Sequence, residues 1–470
     1  MTLNSLRRRC VGDRAFYRMV MAVAVPMMIQ NGITNFVGLL DNIMVGRVGT
    51  EPMSAVSIVN QLMFVFNLCI FGGLAGAGIF TAQYYGSGDH EGIRITFRYK
   101  LWLGMAVLAA AVVLFLLKGE ALISLYLNDA GDGGDLAATL RWGQEYLRVM
   151  LLGMPPFMLV QCYASTLREC GETFLPMKAG ITAVLVNLAL NWLLIFGNLG
   201  FPALGVVGAA AATVISRYVE LVIVVIWTHR HPKRQPWAKG VYGTMRVPAK
   251  EAGIIFRKGT PLLLNEFLWS SGVAILTQCY SVRGLTVVAA LNISTTISNL
   301  FNTVFLSMGS AVSIIVGQRL GAGQIEEARD TDRKLIVFSV VLSFFMGLLL
   351  VASAPMFPRI YRTEEAVRSL AAQLIIAGAV FMPQQAFMNA TYFTLRAGGK
   401  TVITFLFDSV SIWCVSIPIA FCLSRFTSLY VVWILVAVHI GDWVKCVLGY
   451  LLVKRGAWAR NIVQDGAAEP

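Results

Sequence analysis

Asp41 lies in "GLLDNIMVGRVG", Gly38 to Gly49, near the end of an apolar run that begins close to Val20. Glu266 lies in "PLLLNEFLWS", deep in a second apolar run. A carboxylate at the centre of a membrane helix costs about 2.5–3.5 kcal/mol, and an acid kept at that cost marks an ion or proton path by default. A second pattern carries chemistry as well. Asn187 and Asn191 are four residues apart, so both amides share one helix face. One carboxylate with several neutral oxygens can hold a monovalent cation, because hard cations take oxygen ligands. The same carboxylate can take a proton instead. The plain alternative for the asparagines is hydrogen bonding between helices.

The elements that must position these residues are membrane helices. Of the 470 residues, 57% are hydrophobic and only 13% charged, against about 25% charged in a soluble domain. With a mean hydropathy of +0.69, the chain is read as an all-α polytopic membrane protein. The net charge of +13 would suit nucleic acid, but the basic residues sit mostly in short connections between apolar runs. Their electrostatic partner there is anionic lipid, and no nucleic acid is expected. Runs of spanning length, about 20 residues, fall near 19–45, 55–84, 97–117, 143–165, 177–197 and 205–228. Six more fall near 255–280, 286–318, 334–356, 369–393, 402–424 and 429–453.

Basic residues cluster in alternate connections. They are Arg7, Arg8, Arg9 and Arg14; then Arg94, Arg98 and Lys100; then Arg230 to Lys258; then Arg319, Arg329, Arg333 and Lys334; and finally Lys454, Arg455 and Arg460. The other connections are poor in Lys and Arg or acid-rich, as from Asp129 to Asp135. This alternation places both termini in the cytoplasm. The basic start leads into an apolar run too long for a cleavable signal. No HExxH zinc signature occurs, and the eight cysteines form no CxxC pair and read as small core hydrophobes. No paired catalytic motif points to an enzyme.

The chain is written twice. "AQYYGSGDHEGIR" (Ala82–Arg94) matches "GQRLGAGQIEEAR" (Gly317–Arg329), with Gln83, Gly86, Gly88 and Arg94 recurring at an offset of 235 (318 − 83). "TLRECGET" (Thr166–Thr173) matches "TLRAGGKT" (Thr394–Thr401) at an offset of 228 (394 − 166), and Pro26 recurs as Pro261. Amphipathicity alone would not repeat Gln, Gly and Arg together. The glycine-rich segments do not follow a strand or open a Rossmann unit, so they read as helix ends rather than phosphate cradles. Six spans per half make a parallel repeat, with its axis along the membrane normal. The expected organisation is a six-helix bundle over 1–230, a cytoplasmic linker over 231–250 and a second bundle over 251–470, with a central cavity between the bundles.

These blocks, together with "VNLALNWLLIFGNLGFPALGVVGAAAATVISR", resemble the multidrug and toxic compound extrusion (MATE) family over about residues 16–453, closer to its NorM-like than its DinF-like branch. The resemblance implies a monomeric antiporter of the bacterial inner membrane. It would export amphipathic, often cationic, organic compounds in exchange for sodium or protons, with no cofactor beyond the coupling ion. Asp41 matches the family's first-helix coupling acid, where a sodium ion is one candidate occupant. Thr213 matches a hydroxyl near that acid, and Asn191 stands where the DinF-like branch has a second aspartate. Glu266 matches the seventh-span acid of the NorM-like branch, and Gln385 falls where that branch has a tenth-span aspartate. Trp269, Phe381, Phe387, Tyr392 and Phe393 can line the cavity and hold an aromatic cation.

The other charges read as structural. Arg217 with Glu220, Glu145 with Arg148 and Asp442 with Lys445 have helix-pair spacing, and Asp408 reads as an acid at a helix start. The competing readings are a major-facilitator-type carrier and a flippase of a lipid-linked sugar. The loop "YYGSGDHEGIR" lacks the GxxxDRxGRR-like pattern of the first. The acids Asp41 and Glu266 stand where the second often has basic residues.

Overall fold

The computed structural model describes residues 11–127, 135–361 and 363–464, with all their side chains except those of Leu39, Asn42, Ile43 and Thr50. Arg7 to Arg9 and most of the acid-rich Asp129–Asp135 connection lie outside the described residues. Among the described residues there is no strand. In lipid a backbone must satisfy its own polar groups, and a helix does so within one segment.

The first six spans are α1 (Arg14–Gly46), α2 (Thr50–Ser87), α3 (His90–Ser124), the pair α4 (Leu136–Leu151) and α5 (Met154–Glu169), α6 (Phe174–Phe196) and α7 (Gly205–Arg230). The second six are α8 (Ala249–Ser281), α9 (Leu285–Gly321), α10 (Ile325–Ser353), the pair α11 (Glu365–Val380) and α12 (Met382–Ala397), α13 (Thr401–Phe426) and α14 (Val431–Arg455). Among the described residues, nine single helices and the two pairs are long and apolar enough to cross a bilayer. The twelfth, α8, has 33 residues and is diluted in its middle by Asn265, Glu266, Ser270 and Ser271.

The fourth and tenth spans break alike. α4 and α5 meet at 47°, and α11 and α12 at 49°. Pro155 opens α5 and Pro383 opens α12, at the offset of 228 (383 − 155) already seen in the threonine block. Proline lacks the donor that would continue the ladder and clashes with the preceding turn.

The chain packs as two compact units. One, the N-terminal unit, holds Ile29–Thr81 and His90–Ile255; the other, the C-terminal unit, holds Met1–Met28, Ala82–Asp89 and Phe256–Pro470. The sequence halves and these units do not coincide. The beginning of α1 and the end of α2 belong with the C-terminal half. Val20, Val23, Ala24 and Met27 share a core with Met308, Ala311, Val312 and Ile315.

The glycines of the repeated "YYGSGD" and "RLGAGQ" segments explain this exchange. A Cβ on Gly86 would overlap the Gln318 carbonyl, and a Cβ on Gly321 would overlap the Gln83 carbonyl. Gln83 with Gln318 and Gly86 with Gly321 are repeat partners at the offset of 235, so the contact is reciprocal, as across a two-fold axis. Gly317 meets Ala82, its own partner in the repeat, at 3.1 Å from a built Cβ. The two helix ends therefore cross around a local two-fold, with backbone touching backbone.

The segment expected as a linker is docked onto the N-terminal unit. Arg94 Nε donates to the Trp237 carbonyl at 3.1 Å, Arg98 Nε to the Val241 carbonyl at 2.8 Å and Trp102 Nε1 to the Met245 carbonyl at 3.0 Å. Tyr163 bonds both His229 and Tyr242. Trp237 is fully buried. In the C-terminal unit the segment after α14 does the same. Trp458 is buried, Ile462 N donates to Gln83 Oε1 at 2.9 Å, and Asn461 Nδ2 donates to the Gly321 carbonyl at 3.1 Å. "KRQPWAK" (Lys233–Lys239) and "KRGAWAR" (Lys454–Arg460) are a further repeat, at an offset of 221 (454 − 233).

Candidate functional site

In the N-terminal unit Asp41, Asn187, Asn191 and Thr213 come together. Burial of one stripe of α6 turns both asparagines inward, leaving Asn187 6% and Asn191 2% exposed. Asn191 Nδ2 donates to Asp41 Oδ1 at 2.7 Å and to Asn187 Oδ1 at 3.2 Å. Asn187 Nδ2 donates to Thr213 Oγ1 at 3.2 Å, and Thr213 in turn donates to the Ala209 carbonyl at 3.1 Å. Turning the Asn187 amide over places its nitrogen 3.1 and 3.2 Å from the two Asp41 oxygens, with its oxygen 3.2 Å from Thr213 Oγ1. Either orientation leaves a connected chain from α1 through α6 to α7.

The partners of Asp41 among the described residues are neutral amides. Arg217 acts on Asp41 electrostatically, but its guanidinium bonds Glu220 at 3.1 Å, which is the pairing expected from their spacing. Asn191 Oδ1 is buried without a hydrogen-bond partner. A carboxylate, an orphaned amide oxygen, a second amide and a hydroxyl are the oxygen donors that a monovalent cation takes. Asn60 and Tyr146 stand nearby. Tyr146 donates to Asn60 Oδ1 at 3.3 Å and feels the Asp41 charge. Their only sequence signal was polarity within apolar runs.

In the C-terminal unit Glu266 is half-buried and faces the charges of Arg396 and Asp408. Its neighbour Asn265, 2% exposed, is the better connected residue. Asn265 Nδ2 donates to Asp408 Oδ2 at 3.1 Å and contacts the Tyr392 hydroxyl at 3.3 Å, while Ser409 Oγ donates to Asn265 Oδ1 at 2.7 Å. Lys445 Nζ donates to Asp408 Oδ1 at 2.5 Å. Asp408 therefore does not act as a helix-start acid: it lies two turns into α13, ion-paired. Lys445 pairs with it rather than with Asp442, which accepts from Ser416 at 2.9 Å and lies 3.8 Å from His439. Glu145 pairs with Arg141 at 3.7 Å rather than with Arg148, because a helix offers partners on both sides. Gln385 contacts His439 Nδ1 at 3.3 Å.

Of the aromatic candidates, Phe381 stacks on His439 with centroids 4.8 Å apart. Phe387 packs against the core around Met308. Tyr392 is buried and meets Phe393 edge-on at 5.2 Å. The cation over Phe393 is the chain's own Arg396, at 5.3 Å. Trp269 is 43% exposed.

Sequence reasoning missed the burial of Lys100 and Asp332. Lys100, read as part of a basic connection, is fully buried in α3, 2.5 Å from Glu169 and 3.0 Å from Thr166 Oγ1. Asp332, 1% exposed in α10, accepts from Thr394 Oγ1 at 2.5 Å. Thr166 and Thr394 are repeat partners, so one repeated hydroxyl accepts from a cation in the first half and donates to an anion in the second. A hydroxyl serves either sign.

The MatE family model matches residues 26–193 and 261–422, two segments that begin at the repeat partners Pro26 and Pro261. The chain belongs to the MatE family. Membership excludes the major-facilitator reading. Among MatE relatives, the probable multidrug resistance protein NorM of Thermotoga maritima is 25% identical over 94% of this chain and 93% of its own. The multidrug resistance protein NorM of Vibrio vulnificus is 28% identical over 85% and 86%. The same fold occurs in an outward-facing multidrug resistance MATE transporter of the MOP superfamily, with a TM-score of 0.84 and 20% identity over 98% of this chain and 99% of that one.

Proposed function

We propose that this MatE protein is a secondary active antiporter of the bacterial inner membrane. Both termini face the cytoplasm, and it exports amphipathic, often cationic, organic compounds in exchange for sodium or protons. The multidrug resistance proteins among its relatives support the substrate class. The observation that carries the coupling is Asp41, held at 2.7 Å by Asn191 in a network of neutral groups inside an apolar helix unit. An ionised carboxylate there is costly when empty, and a bound cation or proton removes that cost. The ion can bias the conformation only by binding one shape better than the other. Pro26, fifteen residues earlier inside α1, removes a backbone donor and permits that helix to bend.

The test is transport of an organic cation by proteoliposomes under sodium and pH gradients imposed separately. The wild type should pump under one of them. Asp41→Asn should abolish gradient-driven efflux while the protein stays folded and still binds substrate. Near wild-type pumping by Asp41→Asn would make Asp41 structural and move the coupling role to Glu266.

A further inference from the structure

Each unit carries a cluster of one carboxylate with amide and hydroxyl groups, and the two clusters differ in the charge beside the carboxylate. Asp41 in the N-terminal unit is joined to two asparagines and a threonine. Asp408 in the C-terminal unit is joined to Asn265, Ser409 and Tyr392. Each cluster is a carboxylate with amide and hydroxyl oxygens, buried among apolar helices. At Asp41 the direct partners among the described residues are neutral. At Asp408 an ammonium group sits 2.5 Å from the carboxylate.

We propose that Lys445 is a tethered cation: its ammonium group fills the place at Asp408 that a free sodium ion would need, so the C-terminal unit binds no sodium. Lys445 is then the residue that excludes the ion there. This rests on the antiporter reading for its role in transport, but not for its geometry.

Three features hold the ammonium in place. The Asp408 and Lys445 side chains are only 16% and 13% exposed, so the pair is screened little. Lys445 Nζ lies 5.0 Å from the centroid of the Phe407 ring, which attracts a cation over its face. α13 is π-helical at Leu406–Val410 and again at Ile412–Ser416. Such wider turns gather at functional sites, and this one carries Phe407, Asp408 and Ser409 together. The other oxygen of Asp408 is taken by Asn265 at 3.1 Å. The charges facing the cluster are Glu266 from α8, Arg396 from α12 and Lys445 from α14. Glu266 and Asp408 face Arg396 and Lys445, so a metal cation at Asp408 would add positive charge where Lys445 already supplies it. Sodium would have to displace an ammonium that cannot leave.

The experiment measures equilibrium binding of radioactive sodium to purified protein in alkaline buffer, with choline chloride holding ionic strength constant. In Asp41→Asn, which silences the N-terminal unit, no saturable sodium binding should remain. Asp41→Asn with Lys445→Met should gain a saturable site, because Asp408 is left without its partner. Adding Asp408→Asn should remove that site. Sodium binding by the Asp41→Asn protein that is lost on adding Asp408→Asn would overturn the proposal, and this arm needs no change at Lys445. A folded Asp41→Asn, Lys445→Met protein that binds no sodium would overturn it as well. Where the methionine variant does not fold, Lys445→Gln in the Asp41→Asn protein should admit sodium and Lys445→Arg should exclude it; equal binding by the two overturns the proposal. None of these readings uses transport, so loss of the antiporter reading in proteoliposomes is seen separately.

Discussion

Lys100 shows how far a single charge can mislead when only its neighbours in the chain are known. It sits in a basic cluster with Arg94 and Arg98, and its sign argues for the cytoplasmic side. Its burial does not follow from its sign. α3 already starts at His90, so Lys100 is nearly three turns inside a helix, facing Glu169 and Thr166. Removing one partner of a buried pair leaves an uncompensated charge and costs about 3–5 kcal/mol, whereas replacing both is often close to neutral. Lys100→Met should therefore lower stability by about that amount. Lys100→Met with Glu169→Gln should recover most of the loss in a double-mutant cycle of thermal unfolding. A single mutant as stable as the wild type would mean that the pair contributes nothing. The same limit applied to Asp408 and Lys445: their positions in apolar runs were legible, but their partnership across two helices was not.

At the scale of elements, glycine and proline carry most of what the sequence announces. Pro155 and Pro383 bend their spans at matching places, and Gly86 and Gly321 let two helix ends touch through backbone. Gly86→Ala and Gly321→Ala each place a Cβ onto a carbonyl of the facing helix. Overpacking of this kind costs about 1–3 kcal/mol. Each should lower the unfolding midpoint, and together they should be non-additive, because both strain one crossing. Gly253→Ala is the control. Nothing lies within 4 Å of its built Cβ, and alanine is the better helix former by about 1 kcal/mol. Equal effects at Gly86 and Gly253 would remove the close-contact explanation. The docked Trp237 and Trp458 segments were also written in the sequence as a repeat, but basic residues around each tryptophan made them look like solvated loops.

For the whole molecule the testable quantity is direction across the membrane. Arg94 and Arg98 bind the carbonyls of the segment after α7, so the α2–α3 and α7–α8 connections meet on one side. The Gly197–Leu204 connection between α6 and α7 carries no charge, and Leu199 in it is 80% exposed. A cysteine at Leu199 should react with an impermeant thiol reagent added to intact cells. One at the exposed Lys239 should react only after the membrane is broken. The reverse pattern would invert the topology.

What the sequence determined by itself was everything carried by period, sign and repetition. The twelve helices, the duplication and the place of Asp41 and Glu266 in apolar segments all follow from local composition and spacing. The lipid solvent makes them follow, since it forces each apolar run into a helix and prices every charge by its depth. Tertiary structure decided the contacts between helices. It joined Asn191 to Asp41, chose Asp408 rather than Asp442 for Lys445, gave the central hydrogen bonds to Asn265 beside Glu266, and placed the start of α1 and the end of α2 in the C-terminal unit. The reason is geometric. Along one helix only residues three or four apart can meet, so sequence can rank those pairs. Across helices the partner depends on rotation, depth and local π-helical turns, which separations of 37 residues (445 − 408) and 150 residues (191 − 41) do not encode.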